Sequence, residues 1–322
     1  MIPATACLRY QPIERTSGLT QETFHQRFLT GLGKPAILTD AMASWPALAH
    51  WSFELFKARY GSDGVTPRTW LGPGGTKFVR FMKLKDYIGY LDVPEGPAPG
   101  LWLDKETLHP SPGPAEASEY PLYLAWNVFA VHPELLDDVE ISPNFVEDLL
   151  PLLPQAFRRI MDGATRYFIA GVMIGPKNSQ IGLHYDFLDS HAYLAQVVGR
   201  KRCVLFSPAD STALYNGKVN VDAPDWEKFP LLKNATAHEC TLEPGELLFI
   251  PSRWWHHAVC LEKSITVNYN FFNRVNMAGY MTHLLRELPA LVEGIAQLSE
   301  ERAALGIQWT SRGFDLPDSD KL

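Results

Sequence analysis

The stretch GLHYDFLDSHAYLAQ sets His184 and Asp186 two residues apart and adds His191 shortly after, inside an otherwise apolar run. On a strand side chains alternate faces with period two, so His184 and Asp186 point the same way. A third donor is offered by IPSRWWHHAVCLE, where His256 and His257 are adjacent and must point to opposite faces, so that one of them can face a cavity. Two imidazoles and one carboxylate on one side of an octahedral metal leave three positions open, the facial arrangement of non-haem Fe(II) oxygenases. The bland reading is a set of hydrogen-bonded core histidines, since H-x-D alone is a weak pattern.

Oxygenases of this class typically use 2-oxoglutarate, whose distal carboxylate needs a cation or hydroxyl donors inside the fold. Lys201, in GRKRCVLFSP, begins an apolar strand, where a buried ammonium is costly unless paired, and a bound carboxylate is one such partner. By residue type alone, Lys201 and Arg202 read instead as a solvated strand end.

Positioning these groups falls to a series of short strands. RYFIAGVMIG, IGLHYDF, HAYLAQVVG, KRCVLFSP, HECTLE, ELLFIP, HHAVCLE and SITVNYNFF are apolar-rich runs separated by Gly, Pro, Asn or Asp, as in a β-sandwich or barrel. A jelly roll of the cupin type accounts best for inward faces that carry isolated polar residues, because such barrels enclose ligand cavities. Before this lie α/β elements: a helix in LTQETFHQRFLTGLG capped by Thr20, a strand in KPAILTD, a helix in SFELFKARYG opened by Ser52, and a strand and helix in KFVRF and KLKDYIGYL. Residues 92–114, rich in Pro and Gly, read as a long surface excursion without regular structure. The C-terminal part reads as helical, with a break at Pro289. The expected organisation is therefore N-terminal elements over 1–120, a mainly β core over 121–273 and a C-terminal helical pair over 274–322.

The 322 residues are enough for a large core; hydrophobic residues at 46% and charged residues at 20% describe an ordinary soluble chain. A net charge of -7 gives no general pull toward nucleic acid or anionic lipid, and neither is expected as a partner. Cys7, Cys203, Cys240 and Cys260 form no C-x-x-C pair, which suits a reduced, cytoplasmic protein. No apolar run approaches membrane length, and the N-terminus lacks a signal-peptide pattern.

The runs HYD, AQVVGRKRCVLFSPAD, APDWEKFP, EPGELLFIPSRWWHHAV and SITVNYNFF, in this order, resemble the JmjC-type, cupin-like 2-oxoglutarate oxygenases, the asparaginyl hydroxylase branch in particular. GKPAILTDAMASWPALAHWSFELFKARYG resembles their N-terminal part, so the similarity reaches to about Phe272. It implies a double-stranded β-helix with His184, Asp186 and His256 as iron ligands, leaving His257 to packing or to support of the ligands from behind. It also implies that Lys201 binds the distal carboxylate of 2-oxoglutarate, that Tyr123 in PLYLAWN assists it, and that Asn268 lies beside the metal-chelating end. In relatives a C-terminal helical pair can form a dimer interface, which makes a homodimer an expectation here. Departures from the hydroxylase pattern are Ile181 for a threonine, Ala192 for an asparagine, Asn270 for a tryptophan, and two extra residues between Asp186 and His191. These border the substrate region and bear on the substrate more than on the reaction.

The implied activity is an Fe(II)-, 2-oxoglutarate- and O2-dependent dioxygenase releasing succinate and CO2. Its substrate is a side chain of a peptide or protein, with Trp102, Trp126 and Trp226 as groove or packing residues, or a free amino acid or natural-product intermediate, as Asn270, Asp189 and Ser190 favour. The alternatives are a non-catalytic cupin-like module with a structural metal and a Zn or Mn hydrolase or isomerase on the same barrel.

Overall fold

The computed structural model describes residues 8–69, 78–94, 98–104, 109–113, 121–153, 169–286, 289, 308–310 and 313–315. Two short strands, β1 (Arg9–Pro12) and β2 (Glu14–Thr16), come first. Thr20 then opens a helix through a reciprocal cap: its side chain accepts from the Thr23 backbone N–H, and the Thr23 hydroxyl accepts from the Thr20 N–H. This helix, α1 (Gln21–Phe24), widens into a π-helical stretch over His25–Leu29 and buries Phe24, Phe28 and Leu29.

β3 (Ala36–Leu38) precedes α2 (Ala47–His50) and α3 (Phe53–Tyr60), the latter capped by Ser52, whose hydroxyl accepts from the Leu55 N–H at 3.1 Å. β4 (Gly64–Val65), β5 (Phe78–Lys83) and α4 (Leu84–Tyr90) follow, in the expected strand and helix order. The Pro- and Gly-rich excursion is more regular than expected: β6 (Leu101–Asp104) pairs antiparallel with β5. The exposed edge of β5 supplies the hydrogen bonds that the local sequence cannot. Next come β7 (Leu124–Trp126) and α5 (Val128–Val131).

From here the chain is mostly strand: β8 (Ala170–Gly175), β9 (Gln180–His184), β10 (His191–Val198), β11 (Lys201–Phe206), β12 (Thr236–Leu242), β13 (Leu247–Ile250), β14 (Trp255–Cys260) and β15 (Ser264–Phe271). They build two facing sheets, ordered β1-β12-β11-β14-β9 and β2-β3-β13-β10-β15-β8-β7, the double-stranded β-helix of a cupin. β1 pairs with β12 and β3 with β13, so the N-terminal stretch extends both sheets.

Three apolar layers hold this arrangement. Between the sheets, Ala192, Leu194, Leu248 and Ile250 of one meet Cys203, Leu205 and Ala258 of the other. The outer face of the seven-stranded sheet buries Tyr193, Phe249 and Phe271 under the helices that carry Phe24, Phe56 and Tyr87. Leu214, Val219 and Leu232 cover Val204, Phe206 and Trp255 on the other sheet. β15 shows how one sequence serves two layers: Ile265, Val267, Tyr269 and Phe271 join the helix-covered core, while Thr266, Asn268 and Asn270 alternate with them on the interior face. The turn from β10 to β11 uses Gly199 at φ 71°, where a Cβ would stand 2.1 Å from the Lys263 carbonyl oxygen.

A last helix, α6 (277–286), follows the core. The expected C-terminal helical pair is only partly present among the described residues. The chain on either side of Pro289 lies outside them, and β16 (Gln308–Thr310) pairs antiparallel with β17 (Gly313–Asp315), so the tail is not helical throughout. QWTSRGFD places alternating runs on both sides of a turn, which is hairpin sequence. Cys7 also lies outside the described residues, while Cys203, Cys240 and Cys260 are buried free thiols. Among the described residues no helix is long and apolar enough to cross a membrane.

Candidate metal centre

His184 and His256 are cross-strand partners on β9 and β14, with ring centroids 4.2 Å apart. Opposite residues on antiparallel strands present their side chains to the same face. Asp186 is not on the strand as expected, because the ladder of β9 ends at His184. Its backbone stays extended, at φ -72° and ψ 154°, so the period-two geometry survives past the last ladder bond. Asp186 Oδ1 consequently lies 3.7 Å from both His184 Nε2 and His256 Nε2, and the ligand atoms of all three residues lie within 4.8 Å of one another. Tyr185 between them turns outward and packs edge-on against Trp255, with centroids 4.8 Å apart.

The hydrogen bonds behind the triad determine what these atoms are. His184 Nδ1 is 2.8 Å from the Gly182 carbonyl and His256 Nδ1 is 3.0 Å from the Trp254 carbonyl. A carbonyl only accepts, so each ring carries its proton on Nδ1 and presents a lone pair at Nε2, the tautomer of a metal ligand. Burial, then the neighbouring His256, lowers the His184 pKa to about 4, against a partial rise from Asp186. The two Nε2 atoms and the Asp186 carboxylate thus converge on one point. Such a set repels itself unless a cation joins it.

His257 faces the other way, as adjacency on β14 requires, and its Nε2 lies 2.7 Å from Asp222 Oδ2. Burial acts to raise the Asp222 pKa but is outweighed by hydrogen bonds from His257 and Arg202, which hold it below the usual carboxylate value. Arg202 also pairs with Glu239. It is the solvated strand end that residue type suggests, whereas its neighbour is not.

Lys201 is 1% exposed. Its ammonium donates to the Tyr123 hydroxyl at 3.0 Å and to Thr266 Oγ1 at 2.7 Å, and the Thr266 hydroxyl donates onward to Gln196 Oε1 at 2.8 Å. An ammonium has three N–H donors, and the third has no protein partner among the described residues. Burial pushes the Tyr123 phenol well above its ordinary pKa, so the hydroxyl keeps a proton to donate. The Tyr123 ring is seated on Gly175, where a Cβ would come within 2.6 Å of it. Asn268, on the same interior face of β15 as Thr266, donates to Asn270 Oδ1 at 3.2 Å while its own Oδ1 is buried with no partner among the described residues. An unpaired ammonium donor and an unpaired amide oxygen facing one interior mark a pocket shaped for a polar ligand.

The stretch between Asp186 and His191 is a turn with Leu188 at φ 57° and Asp189 at φ 50°, both in the left-handed region. Hydrogen bonds to the Asp189 carbonyl from Ser252 Oγ, at 2.6 Å, and Asn276 Nδ2, at 2.8 Å, hold it there. The Asp189 carboxylate lies 3.3 Å from His283 Nε2, and Ser190 Oγ accepts from Asn270 Nδ2 at 3.0 Å. His191 starts β10 as a buried residue whose Nδ1 accepts from the Ser252 N–H, and it does not join the triad. Trp126 is core, Trp102 lies under the Arg80 guanidinium at 5.0 Å, and Trp226 packs outside the five-stranded sheet. Thr266 and Gln196 were not singled out from the sequence; their signal was the period of two that Thr266 shares with Asn268 and Asn270.

A family model described as a cupin-like domain matches residues 114–277. The chain is 28% identical over 278 residues to "Lysine-specific demethylase JMJ21" of Arabidopsis thaliana, covering 82% of this chain and 26% of that protein. It is 28% identical over 296 residues to "Arginine-specific demethylase JMJ22" of the same plant, covering 86% and 49%. With "tRNA wybutosine-synthesizing protein 5" of Homo sapiens it shares 40% identity over 108 residues, 32% of this chain and 34% of that protein. The chain thus spans half or less of the length of these relatives. Enzymes of the JmjC type use Fe(II), 2-oxoglutarate and O2, and the donor set here fits that combination: two imidazoles with one carboxylate for the ion, and a buried ammonium for a dianionic acid.

Proposed function

We propose that this chain, which belongs to the cupin-like domain family, is an Fe(II)- and 2-oxoglutarate-dependent dioxygenase that hydroxylates a side chain of a peptide, or of an amino-acid-like small molecule, with release of succinate and CO2. The observation that carries this is the convergence of His184 Nε2, His256 Nε2 and Asp186 Oδ1, in the same fold interior as a Lys201 ammonium with one N–H open among the described residues. In this reading His184, Asp186 and His256 hold the ion. Lys201 and Tyr123 bind the distal carboxylate of 2-oxoglutarate, and Asn268 offers its amide to the chelating end.

The ferrous ion, when bound, supplies the activation of O2 that couples oxidative decarboxylation of 2-oxoglutarate to insertion of one oxygen atom into a substrate C–H bond, the other atom going to succinate. The protein's own part is orientation and dryness. The Gly182 and Trp254 carbonyls fix the imidazole tautomers, and the apolar residues between the sheets keep bulk water from the reacting groups. Hydroxylation of an N-methyl group is the same C–H chemistry, which accommodates relatives named as demethylases. The expectation that nucleic acid is not a partner finds no support among the relatives, since one group of them is named for a tRNA modification.

The test is spectroscopic. Anaerobic addition of Fe(II) and 2-oxoglutarate to metal-free protein should produce a visible charge-transfer band that His184→Ala and His256→Ala abolish and His257→Ala retains. A wild-type protein without the band, or a His256→Ala variant indistinguishable from it, overturns the proposal.

A further inference from the structure

Beyond β7 the seven-stranded sheet continues for one more residue, Arg68. Its N–H donates to the Tyr123 carbonyl at 2.9 Å, and the Tyr123 N–H donates to the Arg68 carbonyl at 2.7 Å. A pair that exchanges both bonds stands directly opposite, with its two side chains on the same face. Arg68 is therefore beside Tyr123 on the face from which the phenol reaches Lys201. Four residues, 176–179, carry the chain from the Gly175 end of β8 to the start of β9, so Arg68 stands level with Lys201, at the end of β9 opposite His184.

Among the described residues the guanidinium in this position has no anion. Burial lowers its pKa below the ordinary arginine value, and among the described residues the one charge-capable group that acts on it is Tyr123, whose phenol burial pushes well above its ordinary pKa. Among the described residues neither a carboxylate nor a hydrogen-bond acceptor faces it. Arg15 is paired with Glu246, Arg200 with Glu262, Arg202 with Asp222 and Glu239, and Arg274 with Glu147, while Arg80 donates to the Pro99 carbonyl. Arginine does not lose its proton in a protein, so a desolvated and unpaired guanidinium is unfavourable until an anion joins it.

We propose that Arg68 is the substrate-recognition residue of this site and pairs with a carboxylate on the molecule to be oxidised. The inference rests on the oxygenase reading above. The distal carboxylate of 2-oxoglutarate already has the Lys201 ammonium and the Tyr123 hydroxyl. With a divalent ion on the triad, the two cations and the ion exceed Asp186 by more charge than dianionic 2-oxoglutarate cancels, and one further carboxylate closes the balance. Arg68 is also partly exposed where Lys201 is sealed. Its planar fork matches a carboxylate with two parallel hydrogen bonds.

The experiment loads the protein anaerobically with Fe(II) and 2-oxoglutarate. N-acetylated glycine, leucine and asparagine are titrated, each as the free acid and as the amide. Binding is read from perturbation of the charge-transfer band and from paramagnetic broadening of probe signals in NMR. At least one acid should bind about tenfold or more tighter than its amide, the size expected for a charged hydrogen bond. Arg68→Gln should erase that preference, with the half-saturation for 2-oxoglutarate within about threefold of wild type and the thermal midpoint not lowered. Acids and amides that bind alike, acids that do not bind, or a preference that survives in Arg68→Gln overturn the proposal. A tenfold or larger loss of 2-oxoglutarate affinity in Arg68→Gln overturns it too, because Arg68 then serves the co-substrate. A wild-type protein with no band removes the oxygenase reading and this inference together, whereas a band without acid preference removes only the inference.

Discussion

Lys201→Met separates a ligand-binding lysine from a structural one, because the two roles give opposite signs for stability. In the protein without ligands the ammonium is 1% exposed, donates to two neutral hydroxyls, at 3.0 and 2.7 Å, and faces no carboxylate among the described residues. Each of those bonds contributes about 1 kcal/mol net, while an unpaired buried ion costs several kcal/mol. Both hydroxyls lose the ammonium as a donor, but Thr266 still donates to Gln196 Oε1 after the change, so its hydroxyl stays anchored. Methionine fills a similar volume without charge, and the thermal midpoint of the ligand-free variant should hold to within about 2 °C or rise. For 2-oxoglutarate the same change removes a charged hydrogen bond worth about 1.5–3 kcal/mol, which is about 10- to 150-fold in affinity. The assay is a pair of measurements: thermal unfolding without ligand, and anaerobic titration of the charge-transfer band with 2-oxoglutarate at saturating Fe(II). A midpoint lowered by more than about 5 °C with unchanged half-saturation would refute the reasoning, since Lys201 would then be holding the sheets together rather than waiting for a carboxylate.

Gly175→Ala should damage the same pocket by a different route. The new Cβ would sit 2.3 Å from Ser179 Oγ and 2.6 Å from the Tyr123 ring, an overpacking cost of about 1–3 kcal/mol. Thermal midpoint and 2-oxoglutarate affinity should therefore fall together, and a variant that keeps both shows that the ring yields without strain. His191→Gln tests a pH dependence. Burial lowers the His191 pKa from 6.5 to about 4, so the unfolded chain binds more protons between those values. The contribution to stability is complete above about pH 6.5 and is lost as pH falls toward about 4, with a slope of up to ~1.4 kcal/mol per pH unit. Urea unfolding at a series of pH values across this range should give a flatter dependence in the variant, whose side-chain oxygen can still accept from the Ser252 N–H. Parallel curves would show that His191 carries none of the slope.

The metal donors were legible because chemistry constrained them twice. Residue type named His184, Asp186 and the His256–His257 pair, and strand period limited the choice, although only the resemblance to relatives selected His256 over its neighbour. What the period could not supply was the end of the ladder at His184, which depends on where β14 stops pairing. The strands after residue 169 were equally legible from turn residues and apolar runs. β6 was not, because an edge strand in Pro- and Gly-rich sequence is made by the partner it meets. The N-terminal strands likewise read as local elements, while their placement at the edges of both sheets is a long-range fact. Lys201 carried too little local information to separate a sealed ammonium from a strand end, and the distinction came from Tyr123 and Thr266, which lie far away in sequence. Arg68 gave no signal at all. A lone arginine in a loop-like stretch becomes notable only when the described residues around it prove to lack a carboxylate.

The alternation along β15 has a consequence for how such a chain can diverge. Ser264–Phe271 is two interleaved messages written on one strand, one addressed to the helix-covered core and one to the pocket. A replacement at Asn268 or Asn270 rewrites what the pocket offers without touching Val267 or Tyr269, and the reverse holds for the core. Energetic independence between the two faces lets substrate preference drift by single steps while the scaffold keeps its stability. A family built on this strand can therefore explore new targets without first rebuilding its fold.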